Sequence, residues 1–577
     1  MTSSLRHTIR VTLLTALVTL AACRTSAAPQ PLVPQAVDLR AGMPAIEKPG
    51  VPLLHEKVTE ADDNAGLALD SSEAFVWRHA PVEGGAKFNL SLGTDASDSF
   101  DRAVLTVWDW HNQPVFQRAF NGAAKQNVTF AVHGNGTYLL TLDAFAKDKC
   151  VYRLIRSVSV SPDAQGRREA WKGSDYWLGI CAFPGRYHWT SGGKPVLPEG
   201  LSEQQARERE AELIAKLGLT HARLDVSMVM PENDKQAIDW KRMDAAVNAV
   251  TPQAAERLAL QVMHPPDWAI DPKYKDETKD RWRFPRREDA YRRYVRQLVT
   301  RYGKHAAFIQ IYNEPDQVEF WPGEPAEYLK EVEWAKDEIR KLLPDVTITN
   351  GGYAFIDPKK SEYYINQLKG KLDLQAYHSH GNLRELIRDR EMMGKLHTEA
   401  GYEKPRFINT ECGYAAWRLD QERAQAIAIL QKIVYAWAHG DEGMLLFCSR
   451  MTKGPGPPGR SGRDFGLLDY NFCPRFAYGA VAAFTNTYAG AKFERVLSGK
   501  GNVHAYVFAK GADKLVAIFT MDKPEKVTLE SDAKAAARID AMGNSTKLEA
   551  STKVNIDAGQ YLTTIVLNGA THVELRE

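Results

Sequence analysis

The sequence predicts an α/β protein in which a (β/α)8 barrel lies between an N-terminal and a C-terminal antiparallel β-sandwich. Its 577 residues correspond, at roughly 150 residues per domain, to three or four domains or to one large barrel with appendages. Short apolar runs, each followed by a stretch of helical periodicity, fill the middle of the chain, as in parallel βα units. Short runs of alternating apolar and polar residues lie on both sides of this region and are typical of antiparallel sheets.

The composition is that of an ordinary globular protein. Hydrophobic residues make up 44% of the chain and charged residues 25%, which excludes a disordered or fibrous protein. Lys and Arg total 74 against 72 Asp and Glu, so the formal net charge is +2. Because this balance creates no strong positive field, we expect no nucleic-acid partner and no electrostatic attraction to an anionic membrane.

Residues 1–22 have the layout of a secretory signal peptide. Arg6 and Arg10 precede an apolar run over residues 11–22, which is too short to span a bilayer as a mature helix. The run ends in Leu20-Ala-Ala-Cys23, which resembles the lipobox of bacterial lipoproteins. The resemblance implies lipidation of Cys23, and Arg24 after it implies anchoring to the outer membrane of a Gram-negative host through this lipid only. A cleaved signal peptide followed by a chance cysteine is the alternative.

The remaining cysteines do not form a recognisable framework. Five are left, with no CxxC spacing: Cys150, Cys181, Cys412, Cys448 and Cys473. An odd number without paired spacing argues against both a disulfide scaffold and a structural zinc site. We expect most of them to be buried as small apolar residues. A single disulfide between two of them is the alternative.

The sequence divides into a linker and three folded units. Residues 23–50 are rich in Pro and Ala and lack periodicity, so they form a linker. Residues 51–165 alternate in short runs and predict the N-terminal β-sandwich, residues 170–490 the barrel, and residues 491–577 the C-terminal β-sandwich. Trp108 and Trp110 fall on one side of their strand, so they form either an exposed carbohydrate-binding surface or part of a core.

The barrel prediction rests on eight apolar runs. They predict strands over residues 176–182, 220–226, 259–263, 308–312, 346–349, 372–377, 406–410 and 444–447. Two of the intervening helices are marked by clear apolar stripes, over residues 287–302 and 327–343. In such a barrel the reactive groups lie where the strands end and the following loops begin.

Two carboxylates occupy such positions. Glu314 follows the fourth strand in Asn313-Glu-Pro-Asp316, and Glu411 follows the seventh in Asn409-Thr-Glu-Cys-Gly413. Glycosidic cleavage needs two carboxyl groups, one to protonate the leaving oxygen and one to attack or to activate water. The alternatives are a surface carboxylate in the turn before Pro315 and a solvated loop glutamate at position 411.

A known family carries the same pattern. The stretch Tyr294-Val-Arg-Gln-Leu-Val-Thr-Arg-Tyr302, followed by Ile311-Tyr-Asn-Glu-Pro-Asp316, resembles the clan A glycoside hydrolases, most closely the family 39-like and family 5-like groups. The resemblance covers the barrel of about three hundred residues. It implies retaining hydrolysis by double displacement, with Glu314 as general acid and then base, Glu411 as nucleophile, and Asn313 bonding the sugar 2-hydroxyl. Retention requires the two carboxyl groups to be about 5–5.5 Å apart.

Further residues match the clan's supporting positions. Arg223, near the end of the second strand, resembles the arginine that keeps the nucleophile ionised; a structural ion pair with Asp225 is the alternative. Tyr377, His378 and His380, at the end of the sixth strand, resemble the clan's His or Tyr at this edge, and His378 is the preferred contact to the sugar or nucleophile. His-x-His spacing also occurs in metal sites, but no third ligand lies nearby in sequence, so we expect no metal and no organic cofactor.

Aromatic residues are candidates for stacking on sugar rings. His264 and Trp268, after the third strand, resemble a Pro-x-Trp pattern of the clan, and Trp321 and Trp417 lie in other loops at the same end of the barrel. Packing inside loops is the alternative for each. The sequence departs from the clan after the eighth strand, where a Trp is usual and Phe447-Cys-Ser-Arg-Met451 is present.

The sequence therefore predicts a lipid-anchored retaining O-glycosidase acting on oligo- or polysaccharides. A catalytically degenerate glycan-binding protein on a hydrolase-like barrel is the alternative. It would keep the aromatic residues and lose a carboxylate, and because both carboxylates are present the enzyme is favoured.

Overall fold

The computed structural model describes most of the chain after residue 66. The described residues are 67–71, 86–94, 101–111, 113–121, 126–146, 149–161, 166–184, 188–189, 195–197, 201–224, 230–232, 237–252, 254–263, 267–274, 283–416, 421–450, 465–470, 472–499, 501–549 and 552–576. The predicted signal peptide, Cys23 and the linker lie outside them. Within this part of the chain, no helix is both long enough and apolar enough to cross a membrane.

The N-terminal part consists of antiparallel strands. They are β1 Leu67–Ser71, β2 Ala86–Thr94, β3 Arg102–Trp108, β4 Pro114–Asn121, β5 Gln126–Val132, β6 Gly136–Ala146 and β7 Lys149–Val160. They form two sheets, in the orders β1-β2-β5 and β4-β3-β6-β7. Leu105, Phe130 and Leu142, from both sheets, belong to one hydrophobic cluster, because alternate residues of each strand face the same side.

Trp108 and Trp110 are packing residues. Their exposed fractions are 1% and 8%. The indole of Trp108 donates to the Thr141 hydroxyl at 3.0 Å, and the ring of Trp110 packs edge-on against Tyr561, with ring centroids 5.0 Å apart. The proposed exposed carbohydrate-binding surface made of these two residues is therefore wrong, and the alternative, a place in a core, is correct.

The middle of the chain alternates strands and helices. In chain order it contains α1 Arg167–Trp171, β8 Trp177–Ala182, β9 His188–Trp189, β10 Pro195–Val196, α2 Glu203–Lys216, β11 His221–Leu224, β12 Met230–Glu232, β13 Ala237–Asp239, α3 Lys241–Val250, β14 Arg257–Val262, α4 Glu288–Tyr302, β15 Ala306–Ile311, α5 Pro325–Leu342, β16 Thr347–Thr349, α6 Pro358–Gln367, β17 Gln375–His380, α7 Leu383–Glu399, β18 Phe407–Gly413, α8 Glu422–Ala438, β19 Asp441–Phe447 and α9 Phe476–Tyr488. The predicted helices over 287–302 and 327–343 correspond to α4 and α5.

Eight of these strands form a nearly closed parallel barrel. Their order is β16-β15-β14-β11-β8-β19-β18-β17, and isolated parallel bridges from Thr349 to Leu374 and from Tyr353 to Tyr377 join the two outer strands. Each observed strand overlaps the predicted one. The largest offset is in β17, predicted over 372–377 and found at Gln375–His380. Parallel strands place all their carboxyl ends at one end of the barrel, which brings the ends of β15, β17 and β18 together.

The C-terminal part is again antiparallel. Its strands are β20 Lys492–Ser498, β21 Val503–Lys510, β22 Asp513–Thr520, β23 Glu525–Ser531, β24 Ala535–Ile539, β25 Ser545–Leu548, β26 Lys553–Ala558, β27 Thr563–Asn568 and β28 Val573–Arg576. They form the sheets β20-β21-β22-β27-β24-β25 and β26-β23-β28. Val516, Leu529 and Ile565, from both sheets, share one hydrophobic cluster. The chain is thus a mixed α/β protein with a parallel near-barrel and antiparallel sheets before and after it.

Among the cysteine side chains that the structure describes, those of Cys181, Cys412, Cys448 and Cys473, there is no disulfide. Cys181, Cys412 and Cys448 are buried and Cys473 is partly buried. Their burial agrees with the expectation that cysteines act here as small apolar residues.

Candidate active site

Glu314 and Glu411 face each other at the carboxyl end of the barrel. Glu314 lies in the loop that follows β15, and Glu411 lies near the end of β18. Each residue is only 6% exposed, and one oxygen of each carboxylate lies within 4.8 Å of the other. Two carboxylates at this separation in a buried site require nearby cations and hydrogen-bond donors.

The backbone that presents Glu314 is strained. Tyr312 and Glu314 have φ angles of 73° and 43°, in the left-handed region that non-glycine residues rarely occupy. The Glu314 N–H donates to the Gly351 carbonyl at 2.9 Å, which anchors the turn to the loop after β16. The amide of Gln317 donates to Oε2 of Glu314. Such strain persists only where surrounding contacts fix the conformation, and it concentrates at functional sites.

His378 lies between the two carboxylates. Its Nδ1 is 2.7 Å from Oε1 of Glu314 and 3.8 Å from Oε2 of Glu411. Its Nε2 is 3.1 Å from the hydroxyl of Thr410, and its backbone N–H donates to the Tyr353 carbonyl. The register between β17 and β18 shifts between Tyr377 and His378, so that His378 pairs with Glu411. This irregularity places His378 and Glu411 side by side on neighbouring strands.

Glu411 is held in its ionised form. Burial would raise the pKa of Glu411, but the charges of His378 and Arg223 outweigh it and hold the pKa well below its ordinary value. Arg223, itself 6% exposed, donates to Oε1 of Glu411, and Nε2 of His380 lies 3.5 Å from Oε2. Arg223 thus pairs with Glu411; Asp225, the alternative partner, lies outside the described residues.

The side chains of Asn313 and Gln261 are hydrogen-bonded to each other beside Glu314. The amide of Gln261, in β14, donates to the side-chain oxygen of Asn313 at 3.0 Å and to the Tyr312 carbonyl at 3.3 Å. Both side chains are about 5% exposed. Because the oxygen of Asn313 is occupied, its NH2 group is the part of the amide available for another partner.

Aromatic rings border the Glu411 side of the site. Phe447, at the end of β19, packs edge-on against His380, with centroids 5.4 Å apart, and Phe465 lies 4.9 Å from the same ring. A Cβ at Gly413 would lie 2.7 Å from both Phe465 and the Phe447 carbonyl and 3.0 Å from His380. Only glycine at position 413 therefore allows these rings to close on His380.

The structure brings together six of the predicted residues. They are Asn313, Glu314, Glu411, Arg223, His378 and His380. A carboxylate oxygen from each glutamate and a ring nitrogen of His380 lie within 4.8 Å of one another. Their donor types also suit a divalent cation, although Arg223 already supplies a positive charge to Glu411.

Tyr377 and Trp321 are not brought into this group. Tyr377 is fully buried, and its hydroxyl donates to Asp441 at 2.6 Å. Adjacent strand residues face opposite sides, so Tyr377 points away from the side on which His378 contacts the two glutamates. Trp321 is also fully buried and packs edge-on against Tyr312 at 5.0 Å.

The remaining predicted residues lie elsewhere or outside the described residues. Trp268 is partly buried, and the guanidinium of Arg293, in α4, lies 4.5 Å from its ring centroid. This contact places Trp268 against the outer helix layer. His264 and Trp417 lie outside the described residues.

Sequence reasoning did not identify Gln261, Gln317, Thr410 or Phe465. Gln261 is a polar residue inside a predicted strand, and Thr410 directly precedes Glu411. A polar side chain in an otherwise apolar parallel strand is the signal that singles out Gln261, since both faces of such a strand are normally buried. Gln317 and Phe465 carry no comparable signal.

Comparisons with known proteins support the fold. A family 39 glycoside hydrolase from the gut symbiont Bacteroides cellulosilyticus WH2 superposes with a TM-score of 0.61 at 14% identity, covering 87% of this chain and 100% of that one. A GH39 β-xylosidase from Caulobacter crescentus (TM-score 0.47, 14% identity, 68% and 96% covered) and a GH30 endoxylanase from Clostridium papyrosolvens C71 (TM-score 0.46, 13% identity, 68% and 96% covered) also match. No protein-family model and no curated protein matches the chain. The first of these likenesses shows that the chain has a glycoside-hydrolase-like fold.

Proposed function

We propose that this protein is a retaining O-glycoside hydrolase that acts on oligo- or polysaccharides. The observation that carries the proposal is the separation of Glu314 and Glu411, whose nearest described carboxylate oxygens lie within 4.8 Å of each other. Retaining enzymes place their two carboxyl groups about 5–5.5 Å apart, whereas inverting enzymes need about 6.5–9.5 Å to admit a water molecule. The narrow gap favours direct attack by one carboxylate.

In the first step Glu411 attacks the anomeric carbon. The electron pair of the glycosidic bond moves to the leaving oxygen, which takes a proton from Glu314, and a covalent glycosyl ester forms on Glu411. In the second step Glu314 takes a proton from water, and the resulting oxygen nucleophile displaces Glu411 from the anomeric carbon. The low pKa of Glu411 and its contact with Arg223 suit the nucleophile, which must be ionised to attack.

Neighbouring groups are assigned to the sugar. Asn313 has its oxygen bonded by Gln261, so its NH2 group is free to donate to the 2-hydroxyl. Phe447 and Phe465, beside His380, provide an apolar wall at the end of β19, where the clan usually has a Trp. Apolar rings suit the C–H faces of a pyranose, and we assign the innermost sugar site to this wall.

The decisive experiment follows the anomeric configuration of the product. The protein is incubated with a panel of aryl glycosides and polysaccharides, and the first product anomer is observed by NMR. Retention is expected, and net inversion would overturn the roles of both glutamates.

Two variants separate the two glutamates. Glu411→Ala abolishes turnover but, with azide and an activated aryl glycoside, yields a glycosyl azide of inverted configuration. Glu314→Ala spares the first step for substrates with good leaving groups, which need no acid, and impairs it for poor ones. Equal loss on every substrate in Glu314→Ala would count against its role as the acid, and the absence of azide rescue in Glu411→Ala would count against its role as nucleophile.

We also propose the location and domain arrangement that the sequence predicts. Cys23 is the lipidated residue of an outer-membrane lipoprotein, residues 51–165 and 491–577 form sandwich domains, and residues 170–490 form the catalytic barrel. The paired antiparallel sheets on either side of the barrel support the sandwich arrangement. Globomycin treatment of expressing cells tests the anchor, because an unprocessed precursor accumulates only if Cys23 is the processing site, and Cys23→Ala is the matched variant.

A further inference from the structure

We infer that the edge of the site beside Glu314 binds an apolar leaving group, so that the substrates include glycosides of an alkyl alcohol or a phenol. The inference rests on the proposed function, because it takes Glu314 as the residue that protonates the leaving oxygen. The binding surface consists of Val318 and Ile356, which we call the apolar rim. These residues lie in the loops that follow β15 and β16 at the carboxyl end of the barrel.

Val318 and Ile356 are unusually exposed for their residue types. Their exposed fractions are 63% and 68%, whereas the other exposed large hydrophobic side chains among the described residues reach at most 44%. Those others are Leu342 at the end of α5, Tyr363 in α6 and Val496 in β20. A single exposed apolar side chain is common and needs no explanation. Here the two most exposed ones lie in the loops that flank the proposed acid, and apolar surface beside a concave site is typical of a ligand contact.

One buried carboxylate holds the two loops together. Asp316 is 1% exposed and accepts the backbone N–H of Ala354 at 3.2 Å and the hydroxyl of Ser361 at 2.9 Å. Val318 follows Asp316 by two residues, and Ile356 follows Ala354 by two residues. Two residues of extended chain span about 7 Å, so the Cα of each rim residue lies within about 7 Å of a residue that makes this contact. The contact therefore brings the two rim residues to one edge of the site.

The first loop connects the apolar rim directly to Glu314. Val318 is the chain neighbour of Gln317, whose side-chain amide donates to Oε2 of Glu314 and whose backbone N–H donates to the Glu314 carbonyl at 3.0 Å. A group that protonates the leaving oxygen must lie within hydrogen-bond reach of it. Val318 is therefore on the leaving-group side of the bond that is cleaved, while the apolar wall assigned to the innermost sugar lies on the Glu411 side.

The second loop contains a strained turn. Phe355, the residue before Ile356, has a φ of 55°, which bulky residues rarely adopt. Its ring is partly buried and lies 6.4 Å from the ring of Tyr353 between centroids, and the Tyr353 carbonyl accepts the backbone N–H of His378. Such strain persists only where surrounding contacts hold it, and it concentrates at functional sites. The turn packs Phe355 into the loop and leaves Ile356 available to a ligand.

The chemistry of the apolar rim favours an alkyl or aryl group over a second sugar. The side chains of Val318 and Ile356 carry only C–H groups, whereas a sugar presents hydroxyls that need hydrogen-bond partners when they leave water. Flat aromatic faces suit the C–H faces of a pyranose, and the aromatic ring of this loop, that of Phe355, is packed inside it. An apolar leaving group removes apolar surface from water on both partners when it meets the rim, which is favourable.

The test compares hexyl with methyl glycosides of the sugar that the aryl glycoside panel selects. In wild type we expect kcat/KM to be about tenfold higher on the hexyl glycoside, because the longer chain buries more apolar surface. A double variant, Val318→Thr with Ile356→Thr, keeps a β-branched side chain at each position and replaces apolar groups with hydroxyls. We expect the ratio of the two kcat/KM values to fall to about one in this variant.

Val496→Thr is the matched control. Val496 is also an exposed valine, but it lies in β20 of the C-terminal part, so this variant should keep the tenfold preference. Equal kcat/KM values on the two glycosides in wild type, or a preference that survives the double substitution, would overturn the inference. A preference for a disaccharide over the hexyl glycoside that disappears in the double variant would assign the rim to a second sugar and would overturn it as well.

A binding measurement separates this outcome from that of the proposed function. In Glu411→Gln, which lacks the proposed nucleophile, calorimetry gives the Kd of each glycoside. If the panel selects no sugar, the probes are the hexyl and methyl β-D-glucopyranosides and β-D-xylopyranosides. Retaining hydrolysis without a hexyl preference leaves the proposed function in place and rejects the rim. If no substrate is cleaved but a hexyl glycoside binds about tenfold more tightly, and the double substitution abolishes this difference, the proposed function is rejected and the apolar binding surface stands. The absence of both effects rejects both.

Discussion

The side-chain amide of Gln261 donates to the side-chain oxygen of Asn313 at 3.0 Å, and both residues are almost completely buried. This contact fixes which end of the Asn313 amide faces the site. In Gln261→Leu the Asn313 amide is free to turn, so we expect about a tenfold loss in kcat/KM, the value of roughly one hydrogen bond. The loss should be much smaller on 2-deoxy glycosides, which lack the hydroxyl that Asn313 is assigned to bind. Equal loss on both substrates would show that Gln261 acts elsewhere.

Gly352 and Gly370 allow a matched test of how closely His378 is confined. Both have left-handed backbones, with φ of 74° and 72°, but a Cβ at Gly352 meets the His378 ring at 2.2 Å, whereas one at Gly370 meets nothing within 4 Å. Alanine at either position pays a similar backbone cost of about 1–2 kcal/mol. We expect Gly352→Ala to lose most of its activity, and further stability, because the added Cβ displaces the buried His378 ring, and Gly370→Ala to retain its activity. Retained activity in Gly352→Ala would mean that the His378 ring does not need its present position.

We expect Arg223 to set the lower pH limit of the proposed activity. Its charge, with that of His378, holds the pKa of Glu411 well below the ordinary value, so Glu411, the proposed nucleophile, stays ionised as the pH falls. Arg223→Met removes the cation and raises this pKa, and the acid limb of kcat/KM should move to higher pH by more than about one unit. Arg223→Lys, which keeps a cation, should show a smaller movement.

The Arg223 variant also needs a stability measurement. Removing one partner of a buried ion pair typically costs about 3–5 kcal/mol, so the melting temperature of Arg223→Met should fall. The kinetic profile is measured well below that temperature. An acid limb that does not move in the folded variant would show that Arg223 does not set the ionisation of Glu411.

The strand positions and the two carboxylates could be predicted from the sequence for a physical reason. Parallel strands are buried on both faces, so they occur in the sequence as apolar runs. Their carboxyl ends must meet at one end of a barrel. The same criterion misplaced the sixth strand. The apolar run ends at Tyr377, but the strand continues through His378 and His380, because residues that enter a polar site keep the extended backbone and lose the apolar signal.

The sequence does not predict the contacts that depend on how the barrel closes. Tyr377 and His378 are neighbours, and alternation alone shows that both cannot enter the pocket, but it does not show which of them does. The approach of Gln261 to Asn313 depends on the packing of β14 against the loop after β15. Trp321, predicted to stack on a sugar, is instead enclosed by Tyr312 and Tyr328, since large aromatic residues in loops often serve packing.

Lys432 clamps the ends of the two strands that carry His378, His380 and Glu411. It lies in α8 and is fully buried, and its ammonium donates to the Gly413 carbonyl at 2.7 Å and to the Ser379 carbonyl at 3.3 Å. Ser379 separates the two histidines, and Gly413 follows Glu411 by two residues. Because Lys432 holds both carbonyls, it fixes the relative positions of His378, His380 and Glu411.

Replacing this lysine leaves every side chain of the candidate site in place but should change their relative positions. In Lys432→Met the methylene chain is retained and both carbonyls lose the Lys432 donor. The Gly413 carbonyl keeps the backbone N–H of Gly381, and a buried carbonyl left without any donor costs about 1–3 kcal/mol. We expect a lower melting temperature and, on poor leaving groups, a kcat lower by about ten to a hundredfold, because small displacements of catalytic groups are costly. Lys395→Met, at an exposed position in α7, should change neither quantity. If Lys432→Met loses stability but keeps the wild-type kcat, the clamp serves the fold and not the alignment of the three side chains.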